Sequence, residues 1–205
     1  DDQSRAHKLY RGVPDEPAVR ADLVSMQDPD RTKLALPFDG WYASGLPSRN
    51  YFRHGAAFYQ AGYPDQALPY LDVVLSRTPD NFKAQLAVGQ IHLDAERTEA
   101  ARPHIEAAVR LNAKSPEAWN NYGGLAMQEQ SYVLALERFQ KAIALAPDSG
   151  YAYANAAQAA DRAGQDAEAE RLLRRALDID ASDADALSQL GLLLARQERF
   201  GEAKQ

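Results

Sequence analysis

The sequence predicts an all-α fold, an α-solenoid of stacked helical hairpins. Its clearest hairpin spans residues 116–149, where small and apolar side chains fall on two stripes at helical spacing. The first stripe is Trp119, Tyr122, Gly123 and Ala126, and the second is Ala135, Phe139, Ala142 and Ile143. A single hairpin leaves one apolar side uncovered, so it needs neighbours of the same kind.

A regular repeat along the chain supplies those neighbours. A step of 34 from Gly123 reaches Gly55, Gly89, Ala157 and Gly191, and the same step from Ala135 reaches Ala67, Ala101, Ala169 and Ala203. Gly123 and Ala135 lie on facing stripes, where two antiparallel helices approach closely only if bulky side chains are absent. The repeated small residues therefore predict the same helix pair several times over.

This pattern resembles the tetratricopeptide repeat (TPR) family, whose sequences repeat with the same period. The residues that carry the resemblance are Trp119, Gly123, Ala135, Phe139 and Pro147, and the resemblance covers residues 48–205. It implies a right-handed superhelix of hairpins whose first helices line a concave groove. It also implies that the chain binds a protein or peptide partner.

The period predicts four complete repeats, at residues 48–81, 82–115, 116–149 and 150–183. A partial fifth repeat is predicted at residues 184–205. Gly62 marks the turn of the first hairpin, and Pro79 closes that repeat. Because the partial repeat shows no polar terminal face, we expect the natural chain to continue past Gln205 or its end to be unseen.

Residues 1–47 fall outside the repeat phase and are predicted to form an N-terminal extension. Asp15, Glu16 and Pro17 are typical of a helix start, and an irregular connection follows over residues 34–47. That connection carries Leu34, Leu36, Phe38, Trp41, Tyr42 and Leu46. We expect it to cap the first hairpin; alternatively, it belongs to a larger upstream domain or lies in the groove as an internal ligand.

Composition narrows the partners and the chemistry. The chain has 205 residues, a net charge of −6 and a pI of about 5.2, which argues against nucleic acid or an anionic membrane surface as the main partner. It contains no cysteine, which excludes disulfides and thiolate metal sites, and no apolar run long enough to insert into a membrane. The alanine-rich composition, with more arginine than lysine, is typical of a bacterial protein, and it leaves open whether the compartment is the cytoplasm or the periplasm.

No catalytic motif is found in the sequence, so we expect neither enzymatic activity nor a cofactor. The G-x-S-x-G, H-E-x-x-H, P-loop and Rossmann patterns are all missing from the chain. His54 and His92 occupy apolar-stripe positions, where a partly buried structural histidine is expected rather than a metal ligand.

Candidate binding residues are placed by the TPR resemblance on the groove face of the first helices. The position two residues before each Gly123-type site carries Arg53, Ala87, Asn121, Asn155 and Gln189. An amide side chain has donors and an acceptor, so three successive amides would hold the backbone of an extended peptide, as asparagine ladders do in similar superhelical TPR arrays. The alternative is that Asn121 and Asn155 bond within the array or to water.

Further groove candidates are Phe52, Tyr59, Leu86, Gln90, Leu93, Asn120, Met127, Gln128, Tyr151, Gln158 and Arg162. The leading hypothesis is therefore a non-enzymatic scaffold that binds an extended peptide or a helix in its groove. A second hypothesis is a regulatory or substrate-docking module of a larger enzyme, such as a membrane glycosyltransferase. A third is an adaptor that forms homo-oligomers through its open repeat ends.

Overall fold

The computed structural model describes the backbone of residues 48–197 and the side chains of residues 51–197. The predicted N-terminal extension and the last eight residues of the partial fifth repeat lie outside the described residues. Within the chain, contacts define two compact units, Asp1–Ala87 and Val88–Gln205.

The regular structure of residues 48–197 consists of nine α-helices, and this part of the chain has no β-strand. The helices are α1 (Ser48–Gln60), α2 (Pro64–Arg77), α3 (Phe82–Asp94), α4 (Thr98–Leu111), α5 (Pro116–Gln128), α6 (Tyr132–Leu145), α7 (Gly150–Arg162), α8 (Asp166–Ile179) and α9 (Ala184–Arg196). The prediction of an all-α fold made of helical hairpins is confirmed. The odd-numbered helices are the first helices of the hairpins, and each begins one repeat period after the last.

In the first unit, α1 and α2 form one hairpin around a small apolar core. Phe58 and Leu71 are fully buried, and Phe58 stacks on Tyr70 with ring centroids 5.2 Å apart. His54 is also buried and stacks on Tyr70 at 5.7 Å, in keeping with a structural histidine. Gly55 permits the close helix contact, because a Cβ there would lie 2.9 Å from Cγ of Leu71.

The second unit contains α4–α9 and the later part of α3, and its core is rich in alanine. Helix α7 packs against α5, α6, α8 and α9. It buries Tyr153 and six alanines, namely Ala152, Ala154, Ala156, Ala157, Ala159 and Ala160. Because alanine has only a methyl side chain, four neighbouring helices can approach α7 closely. The six alanines explain why this helix can be central to the unit.

Side-chain caps determine where three first helices begin. Ser115, Ser149 and Asp183 are the N-caps of α5, α7 and α9, and they recur at the spacing of the repeat. The Ser115 hydroxyl accepts a hydrogen bond from the Ala118 amide at 3.2 Å, which satisfies one of the unpaired N–H groups of the first turn. The recurring caps therefore start these three helices at equivalent positions of the repeat.

The turn inside each of the first four hairpins contains one residue in the left-handed region. These residues are Gly62, Glu96, Gln130 and Gly164, with φ values of +83°, +55°, +59° and +75°. Glycine adopts this conformation without steric cost, whereas Glu96 and Gln130 adopt it with a side chain present. The turn geometry is therefore set by the repeat and not by glycine alone.

Gly123 gives a direct test of helix approach, because a Cβ there would lie 2.5 Å from the ring of the buried Phe139. We expect Gly123→Ala to lower the free energy of unfolding by up to about 2 kcal/mol. An overpacking cost of about 1–3 kcal/mol outweighs the roughly 1 kcal/mol that alanine gains over glycine in a helix. Urea unfolding followed by circular dichroism measures the change.

Gly150→Ala is the matched control, because a Cβ at Gly150 would make only ordinary contacts, the nearest at 3.7 Å. It should leave the stability unchanged or slightly raised. Equal stabilities of the two variants would show that the Gly123 contact does not limit the packing of this hairpin.

Candidate functional site

Polar contacts join the successive first helices of the second unit, each to a group in the preceding repeat. Gln128 donates from Nε2 to the Leu93 carbonyl at 2.7 Å, which joins α5 to α3. Asn155 donates from Nδ2 to Oδ1 of Asn120 at 3.0 Å, which joins α7 to α5. The Arg196 guanidinium of α9 contacts the Asp161 carboxylate of α7. Polar side chains of the predicted groove residues therefore take part in holding the array together.

Asn121 has different surroundings from Asn155, the residue at the equivalent position of the next repeat. Asn121 is only 5% exposed, and its side chain makes no hydrogen bond with any described residue. Its amide is not among the fully buried polar groups that lack a partner, so the polar atoms of Asn121 keep contact with solvent. The Asn121 amide therefore retains its full capacity to bind a ligand or a water molecule.

Asn155 and Asn120 form a pair that links α7 to α5, which is the structural role considered for Asn155 in the sequence. Both side chains are half-buried. Their mutual bond uses one donor of Asn155 and one acceptor position of Asn120. Each amide keeps at least one donor for a further partner, and the Asn155 oxygen remains an acceptor.

A cleft of about 220 Å³ lies between α7 and α9 and brings three predicted groove residues together. Gln158 and Arg162 are four residues apart on one face of α7, and Gln189 and Leu192 are three residues apart on α9. The cleft is completed by Ala157, Asp161, Leu173, Leu193 and Arg196. Gln158, Arg162 and Gln189 make no hydrogen bond or ion pair with a described residue.

The two arginines of the cleft differ in their surroundings. Arg196 contacts the carboxylates of Asp161 and Asp166, the latter at 2.8 Å, and the hydrogen bond to Asp161 raises the pKa of Arg196. Arg162 is exposed, and no described carboxylate pairs with it. Of the charged side chains that line the cleft, Arg162 is therefore the one available to a ligand.

Leu192 was not singled out in the sequence, although it lines this cleft and is 71% exposed. It lies one repeat period after Gln158, so the period would have placed it on the groove face. An exposed leucine in a cleft provides a contact for an apolar group of a partner.

Other predicted residues of the second unit have mixed surroundings. Tyr151 is 65% exposed at the start of α7, whereas Met127 packs against the core. Leu93 is buried, and a Cβ on Gly124 would lie 2.9 Å from its Cδ2. Gln90 donates to Asp94 one turn along α3. Only Tyr151 of these presents a large exposed surface.

The predicted residues of the first unit are Phe52, Arg53, Tyr59 and Leu86. Arg53 is exposed, and the other three are half-buried. The role of these four residues in binding remains a prediction, because the cleft between α7 and α9 is lined only by residues of the second unit.

Apolar side chains line a second cleft at the start of α6. Its volume is about 630 Å³, and Tyr132, Val133 and Leu134 lie along it together with Arg162. Val133 is exposed. These three residues were not predicted as a site, since they lie on α6, the second helix of its hairpin, and not on a first helix.

Two further properties of residues 48–197 bear on the kind of site. Within this range, no group of three or more His, Asp or Glu side chains is arranged to hold a metal ion. None of the helices there combines the length and apolar character needed to cross a bilayer.

Gln128 tests the contribution of the contacts between first helices. Besides its bond to the Leu93 carbonyl, it accepts a hydrogen bond from the Thr98 hydroxyl at 2.9 Å. Because both bonds are lost, we expect Gln128→Ala to lower the free energy of unfolding by about 1–2 kcal/mol. The control Gln158→Ala removes an exposed amide without such bonds and should change it by less than about 0.5 kcal/mol. Equal effects in urea unfolding would contradict this role of Gln128.

Comparisons with known proteins agree with this architecture. Family models described as "Tetratricopeptide repeat" match residues 52–116, 89–152 and 126–190, which together span most of the chain. No curated protein matches it.

Among solved structures, MamA from Desulfovibrio magneticus is similar, at 20% identity and a TM-score of 0.69 over 77% of this chain and 89% of that one. PilF of Pseudomonas aeruginosa is 19% identical, with a TM-score of 0.69 over 77% and 72% of the two chains. YrrB, described as a TPR protein with an unusual peptide-binding site, is 19% identical, with a TM-score of 0.64 over 82% and 88%. At these identities the likeness shows the fold. Because the family models cover most of its length, the chain belongs to the tetratricopeptide repeat family, which makes it a protein-interaction scaffold in general terms.

Proposed function

We propose that the protein binds an extended peptide segment of a partner protein along the first helices α5, α7 and α9 of its second unit. The observation that carries this proposal is the Asn121 amide, which is only 5% exposed and has no hydrogen-bond partner among the described residues. Binding requires no bond-making chemistry, and the protein acts by presenting fixed hydrogen-bonding groups.

The chemistry of an amide explains why a peptide backbone suits this position. An asparagine side chain offers two N–H donors and a carbonyl acceptor, which match the C=O and N–H of one residue in an extended chain, since these two groups point to the same side. A bound backbone would therefore satisfy Asn121 on both sides at once. Each such bond contributes about 0.5–1.5 kcal/mol.

Neighbouring amides support the same proposal. Asn120 and Asn155 keep donors beyond their mutual bond, and Gln158 and Gln189 have no described partner. Together with Asn121, these side chains lie on the three successive first helices. Amides on successive helices suit an extended chain, since its peptide groups recur at regular intervals.

The family and one of its similar structures are consistent with a peptide ligand. TPR proteins are interaction scaffolds, and the YrrB structure is described as having an unusual peptide-binding site. We therefore expect a partner contact made through peptide backbone, with side chains adding selectivity.

Asn121→Ala tests the proposal. Peptides selected by the full chain from a random library of short peptides are resynthesised, and their affinities are measured by fluorescence anisotropy. We expect Asn121→Ala to weaken binding about 5- to 30-fold, which corresponds to about 1–2 kcal/mol. Methylation of the backbone nitrogen contacted by Asn121 should weaken binding of the wild-type chain by a similar factor.

Gln66→Ala is the control, because Gln66 is an exposed amide on the second helix α2. It should leave all affinities unchanged. The free energy of unfolding of Asn121→Ala should stay within about 1 kcal/mol of the wild type, since no hydrogen bond to a described residue is lost. The proposal is wrong if Asn121→Ala binds every selected peptide as tightly as the wild-type chain.

A further inference from the structure

We propose that the cleft between α7 and α9 selects peptides that carry an acidic side chain and an aliphatic side chain two residues apart. Arg162 would pair with the carboxylate, Gln158 and Gln189 would donate hydrogen bonds to it, and Leu192 would contact the aliphatic group. The inference rests on the proposed peptide-binding function and adds the chemistry that the ligand must present.

The geometry of the two helices assembles these groups. Gln158 and Arg162 lie one turn apart on α7, and Gln189 and Leu192 lie one turn apart on α9. All four side chains line the same cleft of about 220 Å³. A ligand group that enters the cleft therefore meets a cation, two amides and an apolar surface together.

The charge balance favours an acidic ligand. Asp161 is already engaged by Arg196, which also contacts Asp166. Arg162 has no described partner, whereas Arg196 is held between two carboxylates, so Arg162 is the cation of the cleft lining that lacks a counter-charge. A guanidinium forms its strongest hydrogen bonds with carboxylates, and the two amides supply further donors.

The spacing of the two ligand side chains follows from an extended backbone. Side chains two residues apart project to the same side of an extended chain, about 7 Å from each other. A backbone held along the first helices would thus direct one acidic and one aliphatic side chain into the same cleft. Leu192, at 71% exposure, is the largest apolar surface available there.

Arg162 also lies in the last turn of α7, where a cation interacts favourably with the helix dipole. Arg110 provides the matched comparison for this effect. It lies in the last turn of α4, is exposed and likewise has no described partner. Any effect that comes only from the helix dipole should therefore be shared by Arg162→Gln and Arg110→Gln.

The test uses synthetic peptides built on one short Ser/Ala/Gly background with blocked ends. One carries Glu-x-Leu at its centre, a second carries Gln-x-Leu, and a third carries adjacent Glu and Leu. A fourth carries Gln-x-Leu with a free C-terminal carboxylate. Affinities for the full chain, Arg162→Gln, Arg110→Gln and Asn121→Ala are measured by fluorescence anisotropy at low and high salt.

We expect the wild-type chain to bind the Glu-x-Leu peptide roughly three- to tenfold more tightly than the Gln-x-Leu peptide. The adjacent Glu–Leu peptide should bind about as weakly as the neutral one. Arg162→Gln should remove the preference for glutamate, and high salt should reduce it, whereas Arg110→Gln should keep it. Asn121→Ala should weaken both peptides by the same factor and leave the ratio intact.

Equal affinity of the wild-type chain for the glutamate and glutamine peptides overturns the inference, as does a preference that survives Arg162→Gln. An Arg162-dependent gain seen only with the free C-terminal carboxylate overturns the assignment to a side chain. If library-selected peptides bind through Asn121 but none of the designed peptides binds, the groove function stands and this inference fails. If no peptide of either kind binds, both are wrong.

Discussion

Close approach of the two helices within each hairpin is the constraint on which the rest of this fold depends. In three successive repeats, a glycine of the first helix faces a large side chain of the second helix. A Cβ added to the glycine would lie within 2.9 Å of that side chain. The pairs are Gly55–Leu71, Gly89–Ile105 and Gly123–Phe139. Where the hairpin closes tightly, the large side chain is buried. The small residue of the first helix therefore permits the packing on which the core of each hairpin depends.

The contacts between successive first helices then determine what the groove face can do. Gln128, Asn155 and Arg196 each bond to a group in the preceding repeat, so part of the polar surface serves the array itself. Helix α7, with its alanine face, brings α5 and α9 close enough for such bonds. Other polar side chains of the first helices have no described partner. They include Asn121 and the cleft residues Gln158, Arg162 and Gln189. The proposed binding rests on these remaining groups, because a polar group without a protein partner can still form hydrogen bonds with a ligand.

The sequence predicted several residues of the candidate site. What it could not predict, namely which side chains bond to one another, has a physical cause. The repeat period placed Asn121, Asn155 and Gln189 at equivalent positions, and the spacing on α7 placed Gln158 and Arg162 on one face. The repeat period did not distinguish Asn155 from Asn121. Asn155 bonds to Asn120, whereas Asn121 is 5% exposed and bonds to no described residue. Equivalent positions in a repeat share a backbone environment, but hydrogen bonding depends on the side chain that the preceding repeat happens to supply.

The sequence by itself determined the all-α class, the repeat period, the family and the face of each first helix, because helical spacing and recurring small residues are local properties of the chain. Only the tertiary structure decided that Arg196 is held by Asp161 and Asp166 while Arg162 is not, and that Leu192 borders a cleft. Those outcomes depend on distances between side chains of different helices, which lie far apart along the chain. No local pattern encodes such distances, since they are set by how the helices pack.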